Sequence, residues 1–146
     1  MGVFEKAIAQ GEEILDYIPQ RKPIVMVDKL WSVNNEVSYS GLTVLNDNMF
    51  CKDGYLQDVG IIEHIAQSAA LRIGYMYKVK NKEVPLGFIG SINKMRIEML
   101  PKVGDELMTE IVVMQEVFGI TLLVAKVSIG ELKIAECEMK VAVAQN

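Results

Sequence analysis

What this sequence has little of already narrows its chemistry. It carries one histidine, His64, and two cysteines, Cys51 and Cys137, which stand at no metal-ligand spacing. That leaves no Cys/His zinc set, and two distant thiols make no disulfide framework. No apolar run approaches the length of a membrane span. Basic residues are outnumbered, 15 Lys and Arg against 19 Asp and Glu, giving a formal net charge of −4. That balance offers no electrostatic footprint for nucleic acid. Met1 to Gln20 lacks a basic start, an apolar stretch and a small-residue cleavage site, so no secretory leader is expected. A reduced, cytoplasmic setting is the corresponding expectation.

What is present reads as an ordinary globular chain. Hydrophobic residues make up 51 % and charged residues 23 % of 146 positions, which suits one domain over residues 1–146. A chain of that length buries roughly 70 % of its unfolded surface. The 9 methionines suit an irregular apolar cavity, although such side chains also fill gaps in ordinary cores.

Phe4, Ala7, Ile8, Ile14, Leu15 and Ile18 recur at roughly helical spacing, which predicts a helix over Val3 to Ile18, weakened at Gly11 and ended by Pro19. Ile24 to Val33 reads as a strand, with a turn at Asn34-Asn35. Glu36 to Leu45 then pairs back, with Val37, Tyr39, Gly41, Thr43 and Leu45 on one face. Asn46 to Asp58 holds Asn, Asp and Gly without a period and is expected to be a loop. From about Val59 to Val79 runs the one long internal helical signal. Ile61, Ile62, Ile65, Ala66, Ala69, Ala70, Ile73, Gly74 and Tyr77 make it apolar over most of its circumference, so it should be buried on several sides. The remainder is β: Leu86 to Glu98, Glu106 to Val117, Ile120 to Ile129 and Leu132 to Val143, broken at Pro101, Gly104, Gly119 and Gly130. Short turns between long strands give antiparallel neighbours. A long, curved antiparallel sheet wrapped around one central helix, with an N-terminal helix, is an α+β arrangement.

Three segments carry a family resemblance. Tyr17-Ile18-Pro19-Gln20-Arg21-Lys22-Pro23-Ile24-Val25-Met26-Val27-Asp28 resembles the LPHRxPxLxVD stretch of hot-dog-fold 3-hydroxyacyl-[acyl carrier protein] dehydratases. Val59-Gly60-Ile61-Ile62-Glu63-His64-Ile65-Ala66-Gln67 is similar to their central-helix motif VLIIEAMAQ. Leu86 to Arg96, followed by Leu100-Pro101-Lys102-Val103-Gly104-Asp105, resembles LxGIDKxRF…VxPGD. The three stand in family order from about Glu12 to the C-terminus. The resemblance implies a hot-dog fold and a homodimer, open to further association of dimers, with active sites at the subunit interface. It implies a thioester substrate carried on the phosphopantetheine of acyl carrier protein or coenzyme A, with no other cofactor, no metal, no nucleic acid and no membrane.

Dehydration of a 3-hydroxyacyl thioester needs a base for the α-proton, an acid for the leaving hydroxyl and donors for the developing enolate. The resemblance places the base at the His of the first stretch, the acid at the helix carboxylate of the other subunit, and the carbonyl donor at a backbone N–H where the central helix begins. In this sequence the carboxylate position is Glu63. One turn on, Gln67 shares its face and can hold the carboxylate. The base position is Gln20, whose amide accepts no proton near neutral pH but can hydrogen-bond substrate. Asp58 stands where the family has Gly, and Met49 to Leu56 replaces its GHFPG loop. Substrate contacts are expected from Gln67, Val59, Gly60, Asp58, Phe88 and Gly90.

His64 lies about 100° around the helix from Glu63, so a packing role is expected for it. Cys51 has no base assigned to it and reads as a structural thiol. The cations Arg72, Lys78, Lys80 and Lys82, with Lys94 and Arg96, read equally as a landing site for a carrier protein or coenzyme A phosphates and as a solvated helix end. Three readings follow: a dehydratase-like enzyme built on Glu63; a thioesterase using the same carboxylate; a non-catalytic subunit of an active partner.

Overall fold

A computed structural model describes residues 6–144. Seven strands form one antiparallel sheet in the order β1-β2-β3-β7-β8-β9-β6. They are β1 (Ala9–Gln10), β2 (Lys29–Val33), β3 (Val37–Thr43), β6 (Gly87–Ile97), β7 (Glu106–Val117), β8 (Ile120–Ile129) and β9 (Leu132–Val143). A small separate hairpin, β4 (Cys51–Lys52) and β5 (Tyr55–Leu56), precedes the central helix α1 (Asp58–Val79). The α+β class and the helix-on-sheet arrangement expected from the sequence are those found.

Alternation explains how the sheet faces the helix. Leu107, Thr109 and Ile111 of β7, Leu123, Ala125 and Val127 of β8, and Cys137, Met139 and Val141 of β9 point inward and are buried. They meet Ile61, Ile65 and Ala69 of α1, together with Met26, Leu42, Val44 and Leu56. Ile61 and Ile65 are fully buried, each contributing about 2 kcal/mol by area removed from water. On another side α1 presents Leu71 to a second cluster of Ala9, Ile14, Ile18, Val27 and Leu30. The helix is thus enclosed on two sides, as its wide apolar surface required. On β3 the buried positions are Ser38, Ser40 and Leu42. The set from Val37 to Leu45 lies on the opposite face, except that Gly41 is buried beneath the Trp31 ring.

The structure corrects three sequence expectations. The N-terminal segment is not the helix expected over Val3 to Ile18. Val3 to Glu5 lie outside the described residues; beyond them Ala9–Gln10 pairs with Lys29–Leu30, and Gly11–Asp16 is a 3-10 helix. Gly11 at φ +61° breaks the helical path, and Ile14 and Ile18 are buried from a tighter coil. The strand expected from Ile24 begins only at Lys29, for a reason that lies in α1 and is given below. The expected loop Asn46 to Asp58 contains the β4–β5 hairpin, and its last residue is already helical.

Two glycines fix how closely α1 can be approached. A Cβ on Gly74 would lie 2.0 Å from the Tyr17 carbonyl oxygen, and one on Gly60 would lie 2.6 Å from Leu56 Cδ1 and 2.7 Å from Phe50 Cβ. Tyr17 also stacks edge-on against Tyr75, centroids 5.3 Å apart. Gly74 therefore lets the segment leading to Gln20 lie against the helix. We predict that Gly74→Ala lowers the thermal midpoint by several degrees, an overpacking cost of about 2–3 kcal/mol. The control Gly87→Ala, where a Cβ meets nothing nearer than 3.8 Å, should melt close to the wild type. Scanning calorimetry on both variants checks this.

Candidate functional site

Gln67 organises the ground around Glu63. Both lie on α1, four residues apart and on one face. The Gln67 amide donates from Nε2 to Glu63 Oε1 at 2.7 Å and to the Ile24 carbonyl at 2.9 Å, while its Oε1 accepts the Met26 N–H at 2.6 Å. The Met26 carbonyl in turn lies 2.6 Å from His64 Nδ1. Ile24 to Met26 joins no ladder because helix side chains take the Ile24 carbonyl and both backbone groups of Met26. The Ile24 and Val25 N–H groups turn back onto the Arg21 carbonyl, and strand-type bonding resumes at Asp28, whose N–H donates to the Gly41 carbonyl.

The same docking brings Gln20 over the helix. Arg21 helps, donating from Nη1 to the carbonyls of Ile18 and Gln20 at 2.8 and 2.9 Å. Gln20 and Glu63 of one chain line a single cavity of about 200 Å³ with Gln67, Ala66, Ala70, Ile73, Leu86 and Phe88 among its other walls. The small residues of α1 make the hollow, and the start of β6 closes it. Glu63 is half-buried there. Gln20 Oε1 is buried and makes no hydrogen bond to any described residue, so the cavity holds an acceptor without a donor.

His64 belongs to another face. It is completely buried, with Nδ1 on the Met26 carbonyl and Nε2 2.7 Å from Thr109 Oγ1. A carbonyl can only accept, so Nδ1 carries the proton and Nε2 accepts from the Thr109 hydroxyl. Burial lowers its pKa from 6.5 to about 4, against a raising effect of the Met26 bond and Asp28. It is neutral, saturated and turned from the cavity, which is the packing place expected of it.

The other expected site residues are dispersed. Asp58 begins α1, where its Oδ1 accepts the Val59 N–H at 2.8 Å. It lines an open groove with Gln57 and Ile97 to Leu100, so within one chain the helix-start donor expected for a thioester carbonyl is capped by its own neighbour and lies apart from the Glu63 cavity. Val59 is exposed and Gly60 is taken up in packing against Leu56 and Phe50. Phe88 lines the cavity; Gly90 sits at a register shift of β6. Burial raises the pKa of the Cys51 thiol, away from nucleophilic use.

The cations do not form one patch. Arg72 is buried and donates from Nη2 to the carbonyls of Asn34 and Asn35 at 3.0 and 3.1 Å, which corrects the expectation of a solvent-facing landing residue. A low-charge helix face had room for one long side chain to reach the β2–β3 turn. Lys80 and Lys82 border a second cavity of about 520 Å³ near the end of α1, together with Arg72, Tyr77, Glu116 and Phe118. Lys78 is exposed on the last turn of α1. Lys94 and Arg96 are exposed on β6 and pair with Glu138 at 3.3 Å and Glu98 at 3.4 Å. Among the described residues no group of His, Cys, Asp and Glu could hold a metal ion, and no helix is long and apolar enough to cross a membrane.

Sequence reasoning missed the role of Met26 and of Ile24, whose backbone polar groups tie the site together. No side-chain signal marks them; the apolar run Ile24 to Val27 reads as a strand because side-chain type does not reveal where a peptide's hydrogen bonds go.

The His64 geometry sets a pH dependence. The unfolded imidazole titrates near 6.5 and the folded one near 4, so the unfolded chain binds the extra proton first and stability falls as pH drops through that window. Urea titrations from pH 7 to pH 4 should show a loss of about 3 kcal/mol attributable to this group, absent from His64→Asn.

A family model described as ApeP-like, ApeP dehydratase, matches residues 12–146. The 3-hydroxyacyl-[acyl-carrier-protein] dehydratase FabZ of Clostridium novyi (strain NT) is 32 % identical over 140 residues, spanning 90 % of this chain and 95 % of that protein. The FabZ of Histophilus somni (strain 2336) is 26 % identical over 145 residues, spanning 94 % and 93 %. Among solved structures, the dehydratase heterocomplex ApeI:P from Xenorhabdus doucetiae superposes with a TM-score of 0.82 at 16 % identity over 91 % of each chain. A hypothetical thioesterase with coenzyme A from Streptococcus pneumoniae TIGR4 superposes with a TM-score of 0.65 at 9 % identity over 80 % of this chain and 85 % of that one. The structural likenesses give the hot-dog fold.

Proposed function

Because this chain belongs to the ApeP-like dehydratase family, we propose that it acts on 3-hydroxyacyl thioesters and removes water across C2 and C3, with Glu63 moving the proton. The observation that carries this reading is the Glu63 carboxylate held by Gln67 at the wall of a cavity that is otherwise largely apolar. The thioester arm is the phosphopantetheine of a carrier protein or coenzyme A, in the cytoplasm, and the enzyme needs no cofactor of its own.

The cavity wall offers one group able to take a proton near neutral pH. Gln20 is an amide. Tyr17, on the same wall, is held protonated because burial, then Tyr75, Asp16 and Glu13, raise its pKa. In our reading Glu63 therefore serves twice. Its carboxylate takes the α-proton as the C2–H bond breaks, the electron pair forms the C2–C3 double bond, and the C3–O bond breaks. The same proton then passes from Glu63 to the departing hydroxyl, which leaves as water. One carboxylate can do both only if the α-hydrogen and the hydroxyl lie on one face, so the elimination is syn. Gln20 Oε1, buried without a partner, accepts from the 3-hydroxyl and orients it.

In our reading the enolate donor comes from a second subunit, since the helix start of this chain lines a groove apart from the Glu63 cavity. β6 is the terminal strand of the sheet, with one edge on β9 and Leu86, Phe88 and Ile89 exposed at its start. A second hot-dog chain, in the simplest case another copy, adds there edge to edge. The similarity in fold to the dehydratase heterocomplex ApeI:P from Xenorhabdus doucetiae supports assembly from two chains. Thioester hydrolysis by the same carboxylate is the second reading, favoured by the same lack of an imidazole on the wall.

Incubation with a 3-hydroxyacyl carrier protein, followed by mass spectrometry, should show loss of water, and Glu63→Gln should slow it at least a hundredfold. Release of free thiol in place of water loss would select hydrolysis. A wild-type rate in Glu63→Gln would leave the chain as a binding subunit. Separately, Ile89→Lys should shift the chain toward monomer in light scattering by placing a charge on the docking edge.

A further inference from the structure

We propose that His64 is a positioning residue, which with Gln67 grips both backbone polar groups of Met26, one in each of its flanking peptides, and so fixes the Gln20 segment on the Glu63 helix. The proposal rests on the reading of the Glu63 cavity given above and deepens it.

Three observations meet at Met26. Its N–H donates to Gln67 Oε1 at 2.6 Å, its carbonyl accepts from His64 Nδ1 at 2.6 Å, and its side chain is wholly buried. Gln67 alone would fix the peptide before the Met26 Cα and leave the one after it free to rotate. With His64 on the carbonyl, the peptide planes on both sides of Met26 are held. His64 is itself anchored by Thr109 on β7, so the grip is referred to the sheet and not only to the helix. The Gln67 amide that holds Met26 is the one that holds Glu63. Any slip of Ile24 to Met26 therefore reaches both Gln20, a few residues upstream, and the carboxylate. His64 touches neither cavity nor substrate; it acts through Met26.

Side-chain isosteres separate this role from packing. In Asn the amide nitrogen stands near the place of Nδ1 and keeps a donor for the Met26 carbonyl, but it loses Thr109. In Gln the amide nitrogen stands near the place of Nε2 and keeps Thr109, but it loses Met26. Asn is one methylene shorter than Gln and leaves the larger void, so a packing role alone would make His64→Asn the worse variant.

The experiment uses the full chain, with amide hydrogen exchange over residues 24–28 read by NMR and kcat and KM measured on 3-hydroxyacyl thioester. His64→Gln should speed exchange of the Met26 amide about tenfold and lower kcat about tenfold with KM within threefold, the scale of one buried hydrogen bond. His64→Asn should restore both to within threefold of the wild type, although its melting temperature falls at least as far as that of His64→Gln. Equal losses in the two variants, or wild-type behaviour in His64→Gln, would overturn the proposal. Should the wild type turn over nothing, or Glu63→Gln match it, the reading of Glu63 fails on its own; the Met26 amide still decides for or against His64.

Discussion

One residue, Met26, has both its backbone polar groups bonded by helix side chains where a strand would be expected, and the arrangement of the site depends on that exchange. Leaving a buried N–H or C=O without a partner costs about 1–3 kcal/mol, so a segment pulled out of the sheet must be satisfied elsewhere. Gln67 and His64 supply those partners at 2.6 Å each. Released from the ladder, Ile24 to Met26 can lie across α1, and the turn before it carries Gln20 to the cavity. Gly74 permits the close approach by admitting the Tyr17 carbonyl where any side chain would collide. The site is therefore a consequence of a polar substitution for β pairing, supported by one missing methyl group.

Much of the fold was legible in the residues. The period of Ile61, Ile65 and Ala69 marks α1, and the alternation through Leu123 to Val127 marks β8, because burial on one side imposes those spacings. The elements that escaped are those whose conformation is set by backbone bonding. Gly11 at φ +61° turns a helical pattern into a bridge and a 3-10 coil. Ile24 to Val27 has strand composition without a strand partner. Of the site, Glu63 and Gln67 were legible as an i, i+4 pair on an apolar helix. Asp58 and Val59 were expected to join them, but Asp58 lines another groove and Val59 is exposed, since the helical period does not say where the first turn faces. Arg72 looked like a surface charge and is instead a buried brace for the β2–β3 turn, a role visible only once the turn is placed.

The electrostatics of the wall bear on how a dehydratase-family chain can work with so few ionisable groups. His64 is kept neutral by burial and has both nitrogens occupied. The thiol of Cys137 is pushed up to about 11, chiefly by burial. The protein thus keeps its other proton carriers silent and presents a single carboxylate to the cavity. Chemistry there is decided by how that carboxylate is held, which places more weight on Gln67 than in a site with two titrating partners.

The far half of β6 bears Lys94 and Arg96, while its first residues carry no charge and include the exposed Phe88 and Ile89. Charges act as gatekeepers against indiscriminate strand addition; here they guard only one end. The unguarded half is adhesive as long as nothing lies against it, so solubility at high concentration and readiness to take up a neighbouring strand are two readings of the same few apolar side chains.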